Sequence, residues 1–154
     1  MEKFFRGLGI EKGKRFELLF LAIMPLVFLV LPYSSYTFNK ATYTLSGIES
    51  LIGKTVLSGK VVLDPSLLLA FVVASSLLVA VIALFATKFT MKQTGTGLVA
   101  IGIIQLVTNV LAAKQIQSLL DAAKNVKAGI GSTMITAVSL VMILLGLSRK
   151  RNKE

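Results

Sequence analysis

Three polar residues stand near the middle of an otherwise apolar stretch at 98–113: Gln105, Thr108 and Asn109. Gln105 and Asn109 are four positions apart and share one face of a helix, which Gly102 and Ala112 extend. Amides and a hydroxyl so placed inside a helix bundle have two uses. They can line the path of a solute, or they can bond helix to helix, a contact that stabilises membrane proteins by about 0.6 kcal/mol on average. The second use is the simpler expectation. A path driven by protons or sodium places an ionisable group near the midplane, and no apolar run of this chain carries one. Glu17 lies only two residues after Arg15, at the edge of the first run.

Other chemistry is thinly supplied. Without His or Cys there is no imidazole or thiolate to hold a metal or to act as base or nucleophile. Glu49 sits three residues after Ser46 in the spacing of a capping box, Asp64 can cap a helix with Pro65 in its first turn, and Asp121 faces away from a helical stripe. The glycines of Thr94-Gly-Thr-Gly97 follow no strand and precede no lysine, so they read as a turn before a helix. The expectation is a non-enzyme with no cofactor and no metal.

The elements that must position these residues are set by lipid. Residues 67–85 carry no charge, Pro or Gly, and nineteen helical residues reach about 28 Å, close to the hydrocarbon thickness of a bilayer. In a chain of 154 residues that is 55 % hydrophobic, with mean hydropathy +0.80, four such spans are expected. They run over about 16–36, 65–86, 97–113 with a helical extension to about 124, and 130–147. The first is reached by carrying a short apolar run past Pro25, a kink, and Pro32 to set Tyr33 and Tyr36 at the interface. A cleaved signal peptide competes for that stretch, but no small-x-small site follows it. The expected fold is an all-α membrane protein, a four-helix bundle with a small structured outer cap over 37–64.

Within that cap, Ala41, Tyr43 and Leu45 alternate with polar residues as in a half-buried strand, a short helix should run from Gly47 to Ile52 and stop at Gly53, and two short strands should flank Ser58-Gly59. Ile48, Leu51 and Ile52 form one apolar face. Ile116, Leu119 and Leu120 form another in the second outer connection, where Ile116-Gln-Ser-Leu-Leu120 echoes Ile48-Glu-Ser-Leu-Ile52. The two faces could pack on each other. Residues 126–131 read as a turn.

Charge sets orientation. Of 17 basic residues, eleven lie before the first span, in the Lys88/Lys92 turn or after the last span, and six lie in the other two connections. By the positive-inside rule both termini are cytoplasmic. The basic termini suit anionic lipid headgroups, and residues 1–15 suit the membrane surface. Nucleic acid is not an expected partner.

Small residues recur at spacing four: Ala70 with Ala74, Ser76 with Ala80, and Ala128 with Ser132 and Thr136. Such rows let helices approach closely, within a bundle or against a partner. The arrangement of four spans, inner termini, a long strand-bearing first outer connection and a shorter second one resembles the claudin-like layout. The marker Trp and paired Cys of that family are absent here, and no function is carried over. The functional expectation is an accessory, assembly or stabilising subunit of a larger complex, such as a transporter, in a prokaryotic cell membrane. The alternatives are a small homo-oligomeric channel lined by Gln105 and Asn109, and a protector against a membrane-active toxin.

Overall fold

A computed structural model of the chain describes residues 12–56, 61–85, 89–120 and 124–151. Three helices are long and apolar enough to cross a membrane, consistent with a multi-pass membrane protein: α3 (Leu67–Leu84), α4 (Met91–Leu119) and α5 (Ile130–Arg151). The first helix, α1 (Lys12–Leu26), is shorter and tightens into a 3-10 turn at Val27–Leu29. Pro25 supplies no N–H to that last turn, so the α-helical ladder cannot continue unbroken there.

The chain then becomes a strand, which corrects the expected helix over 16–36. β1 (Pro32–Phe38) pairs antiparallel with β2 (Ala41–Ser46). Asn39 and Lys40 join them with φ of 49° and 66°, the left-handed pair that a tight two-residue hairpin requires. The other neighbour of β1 is β5 (Lys124–Ala128), so the sheet order is β2-β1-β5 and β1 is central. Residues expected as the end of a long helix and a plain turn are therefore strand. α4 stops at Leu119, residues 121–123 of the expected helical extension lie outside the described residues, and β5 satisfies its backbone against β1 rather than within a helix. The sheet thus draws on both connections and begins before the expected cap.

Local signals are followed closely between the strands. α2 (Gly47–Ile52) starts with the Ser46/Glu49 capping box and stops at Gly53, where φ is 87°. β3 (Lys54–Val56) and β4 (Val61–Leu63) form a hairpin whose turn, with Ser58 and Gly59, lies outside the described residues. Two helix starts differ from expectation. Ser66, not Asp64, caps α3 by accepting from Leu69 N. Thr90 and Gln93 form a second capping box that starts α4 six residues before 97, inside the expected polar turn. The surface-lying segment expected at 1–15 falls largely outside the described residues.

Two apolar clusters hold these elements. One, at the sheet end, joins Phe28, Tyr33 and Leu45 to Leu69 and Val72 of α3, Ile116 of α4 and Ile135 of α5. The other, at the end holding the last turn of α5, joins Leu18 and Leu21 of α1 to Val79, Leu98, Ile101 and Met142. α4 and α5 share the most extensive contact in the molecule. Their backbones touch through glycine: a Cβ on Gly146 would lie 2.6 Å from Gly95 O, and one on Gly102 would lie 2.8 Å from Ser139 O.

Candidate functional site: a buried polar belt and the cleft above it

Between the two apolar clusters lies a layer of polar side chains. At its centre Gln105, fully buried, donates from Nε2 to Ser76 Oγ on α3 at 3.0 Å. Ser76 Oγ in turn donates to Val72 O at 2.8 Å. On the other side stands Ser139 of α5, 3.5 Å from Gln105 Oε1, with its proton directed to Ile135 O at 2.7 Å. Hydroxyls bonded back to their own helix in this way cost the helix little and leave an oxygen free to accept from a neighbour.

One turn along α4, Asn109 is satisfied on all four counts. Its Nδ2 donates to Ser132 O at 2.9 Å and to Thr136 Oγ1 at 3.0 Å, while its Oδ1 accepts from the Tyr33 hydroxyl at 2.8 Å and from Ser132 Oγ at 3.4 Å. Tyr33 reaches this depth through a fault in the sheet. Pro32 faces Ser46 and Ser34 faces Leu45, so Tyr33 is an extra residue on β1 with no opposite number. Such a bulge re-aims a side chain. It buries both Tyr33 and Ser34, where a regular strand would send one of them outward.

The expected site residues are sorted as follows. Ser76, Ser132 and Thr136 join Gln105 and Asn109 in the belt. Thr108 does not: its hydroxyl donates to Ile104 O at 2.7 Å within its own helix. Ala80 packs against the cluster nearer the termini. Ala70 and Ala74 lie on an exposed face of α3, and Ala128 is an exposed strand residue opposite Ser34. Leu51, Ile116 and Leu120 meet in the sheet-end cluster, whereas Ile48, Ile52 and Leu119 remain exposed.

Above the belt a cavity of about 280 Å³ opens under the sheet. Tyr33 and Ser34 of β1 form one wall, Lys127 of β5 another, and Lys114 and Gln117 of α4 a third. Asn109, Ser132 and Thr136 form its floor, where α5 begins. Ser34 Oγ is buried without a hydrogen-bond partner. No Asp or Glu lines the cavity, and neither lysine pairs with a carboxylate among the described residues.

At the opposite end of the bundle Arg149, 7 % exposed, donates from Nη2 to Glu17 Oε2 at 2.6 Å, tying the last turn of α5 to the start of α1. Sequence reasoning passes over this pair because the partners are remote along the chain. It also passes over Tyr33 and Ser34, although Pro-Tyr-Ser-Ser-Tyr-Thr-Phe is rich in the aromatic and β-branched residues of strands. Among the described residues no group of three carboxylates could hold a metal. No family model, curated protein or solved structure matches the chain.

Proposed function

We propose that this is a non-catalytic membrane protein that acts as an accessory or assembly subunit of a larger membrane complex, such as a transporter. α1 supplies a fourth crossing, the sheet end faces outward, and both termini lie on the cytoplasmic side of a prokaryotic cell membrane. The single observation that carries this reading is the closed belt. Asn109 spends every donor and acceptor on neighbouring elements, and Gln105 is buried between Ser76 and Ser139, so the polar residues act as interhelical glue. A channel lined by the same residues would need those bonds broken to wet its wall. The fourth crossing and the common side of the termini are supported by the Glu17–Arg149 pair, which joins the first and last helices at one end. Binding of a partner helix is supported by Ala70 and Ala74, small residues four apart that face outward on α3 beside Phe71.

The experiment is affinity purification of the full chain from native membranes in mild detergent, alongside Ala70→Phe/Ala74→Phe. The expected result is one larger membrane protein recovered in fixed stoichiometry with the native chain and lost from the variant, whose thermal stability is unchanged. Recovery of the chain alone as a symmetric oligomer, with ion flux in liposomes abolished by Gln105→Leu/Asn109→Leu, would replace this reading with the channel.

A further inference from the structure

The cavity under the sheet combines features that neither the belt nor the bundle requires. Its two lysines, Lys114 and Lys127, come from different elements and line one space that no carboxylate lines among the described residues. Its wall also contains the Ser34 hydroxyl, 5 % exposed and without a partner. A buried hydroxyl so placed is costly unless something in the cavity bonds to it. The first turn of α5 contributes Ser132 to the floor, so the positive end of that helix dipole adds to the same field.

We propose that this cavity is a binding site for a phosphate ester of glycerophosphate size, held by Lys114, Lys127 and Ser34. Two ammonium groups, a hydroxyl donor and the Gln117 amide suit an anion with several oxygens, and among the described residues the lining offers no carboxylate to a cation. A volume of about 280 Å³ equals roughly nine waters, more than a bare phosphate fills. Val110, Ala113 and Val126 give the wall an apolar side, which suits a glycerol backbone carrying that phosphate. The ester can reach the site as a phospholipid headgroup or as a soluble molecule, and the two share this chemistry. The site does not depend on the accessory-subunit reading, since a channel or a free-standing bundle would contain it equally.

The test uses the full chain purified in neutral detergent, with thermal unfolding and native mass spectrometry as readouts. Added phosphatidylglycerol should raise the unfolding midpoint by several degrees and be retained in the gas phase at one per chain, while phosphatidylcholine should do neither. Lys114→Gln/Lys127→Gln should weaken that binding at least tenfold, and Lys40→Gln/Lys54→Gln, which removes the same charge elsewhere on the sheet end, should leave it within twofold. Ser34→Ala should leave the ligand-free protein as stable as the native chain or more so, yet shrink the ligand-induced shift. Glycerol 3-phosphate distinguishes the sources: an equal shift and competition with the lipid identify a soluble ester, and no effect identifies the headgroup. Equal response to both lipids, equal loss in the two double-lysine variants, or no response to either lipid or glycerol 3-phosphate would overturn the proposal.

Discussion

The Tyr33 hydroxyl donates to Asn109 Oδ1 at 2.8 Å, and through that bond a sheet is fastened to the interior of a helix bundle. Both groups are buried, Tyr33 to 1 % and Asn109 to 1 % exposure. Removing either partner leaves the other short of a bond. Tyr33→Phe should lower unfolding stability by about 1–2 kcal/mol, and Asn109→Leu by more, because it also removes the bonds to Ser132 and Thr136. The double variant should lose less than the sum, since the shared bond is then counted once. Denaturant titration of the three proteins in detergent measures this.

Breaking the Glu17–Arg149 pair should be asymmetric. Arg149 is the buried member, with a side chain 9 % exposed against 39 % for Glu17. Glu17→Gln leaves a buried guanidinium without its counter-charge and should cost about 1–3 kcal/mol. Arg149→Met leaves only a half-exposed carboxylate, which water can solvate, and should cost less. Thermal midpoints of the two variants in the same detergent give the ranking.

Packing of α4 on α5 should respond to a single methyl group according to what that group meets. Gly146→Ala drives a Cβ to within 2.6 Å of a backbone oxygen, so the helices must separate, at about 1–3 kcal/mol. At Gly97 the nearest atom is Ile82 Cδ1 at 3.5 Å, an ordinary contact, and Gly97→Ala should be neutral or stabilising given the better helix propensity of alanine. A drop for the first and none for the second, in the same thermal assay, is the expected pattern.

Acid should loosen α2. The carboxyl of Glu49 is held below its ordinary value chiefly by its bond with Lys54, then by the backbone N–H of Ser46. A depressed carboxylate contributes stability that is present above its unfolded value and is lost as pH falls through the folded one. Amide exchange across 46–52 should therefore accelerate as pH is lowered through the acidic range, after correction for intrinsic exchange. Glu49→Gln should exchange faster at neutral pH and lose that pH dependence.

How far the sequence carries depends on the range of the interaction that decides each element. The Ser46/Glu49 box and the stop at Gly53 are local, and the structure follows them; the strand expected at Ala41, Tyr43 and Leu45 also forms, but only Leu45 is buried and the half-buried alternation is not seen. The same logic was available at Thr90 and Gln93 but lay hidden in a stretch that reads as a polar turn. β1 and β5 are decided by each other, and neither shows its partner in its own residues. The apolar run before Tyr33 suits a helix extension that ends in an interfacial aromatic. Pro32 overrides that signal, and beyond it the backbone bonds run sideways to β2 and β5. For the belt, the spacing of Gln105 and Asn109 predicted a shared face, but their partners required three-dimensional knowledge.

The central position of β1 has a consequence for biogenesis. During synthesis β1 and β2 emerge together, but β5 follows only after two long apolar helices have been made. Until then the nascent chain exposes one row of unsatisfied amides and carbonyls beside Ser34 and Ser35, a surface on which an insertion factor or a sister chain could act as a temporary strand. Closure of the sheet thus waits on the two helices between β2 and β5, and a truncation before 124 should leave an N-terminal fragment that crosslinks to itself or to a chaperone rather than a smaller stable bundle.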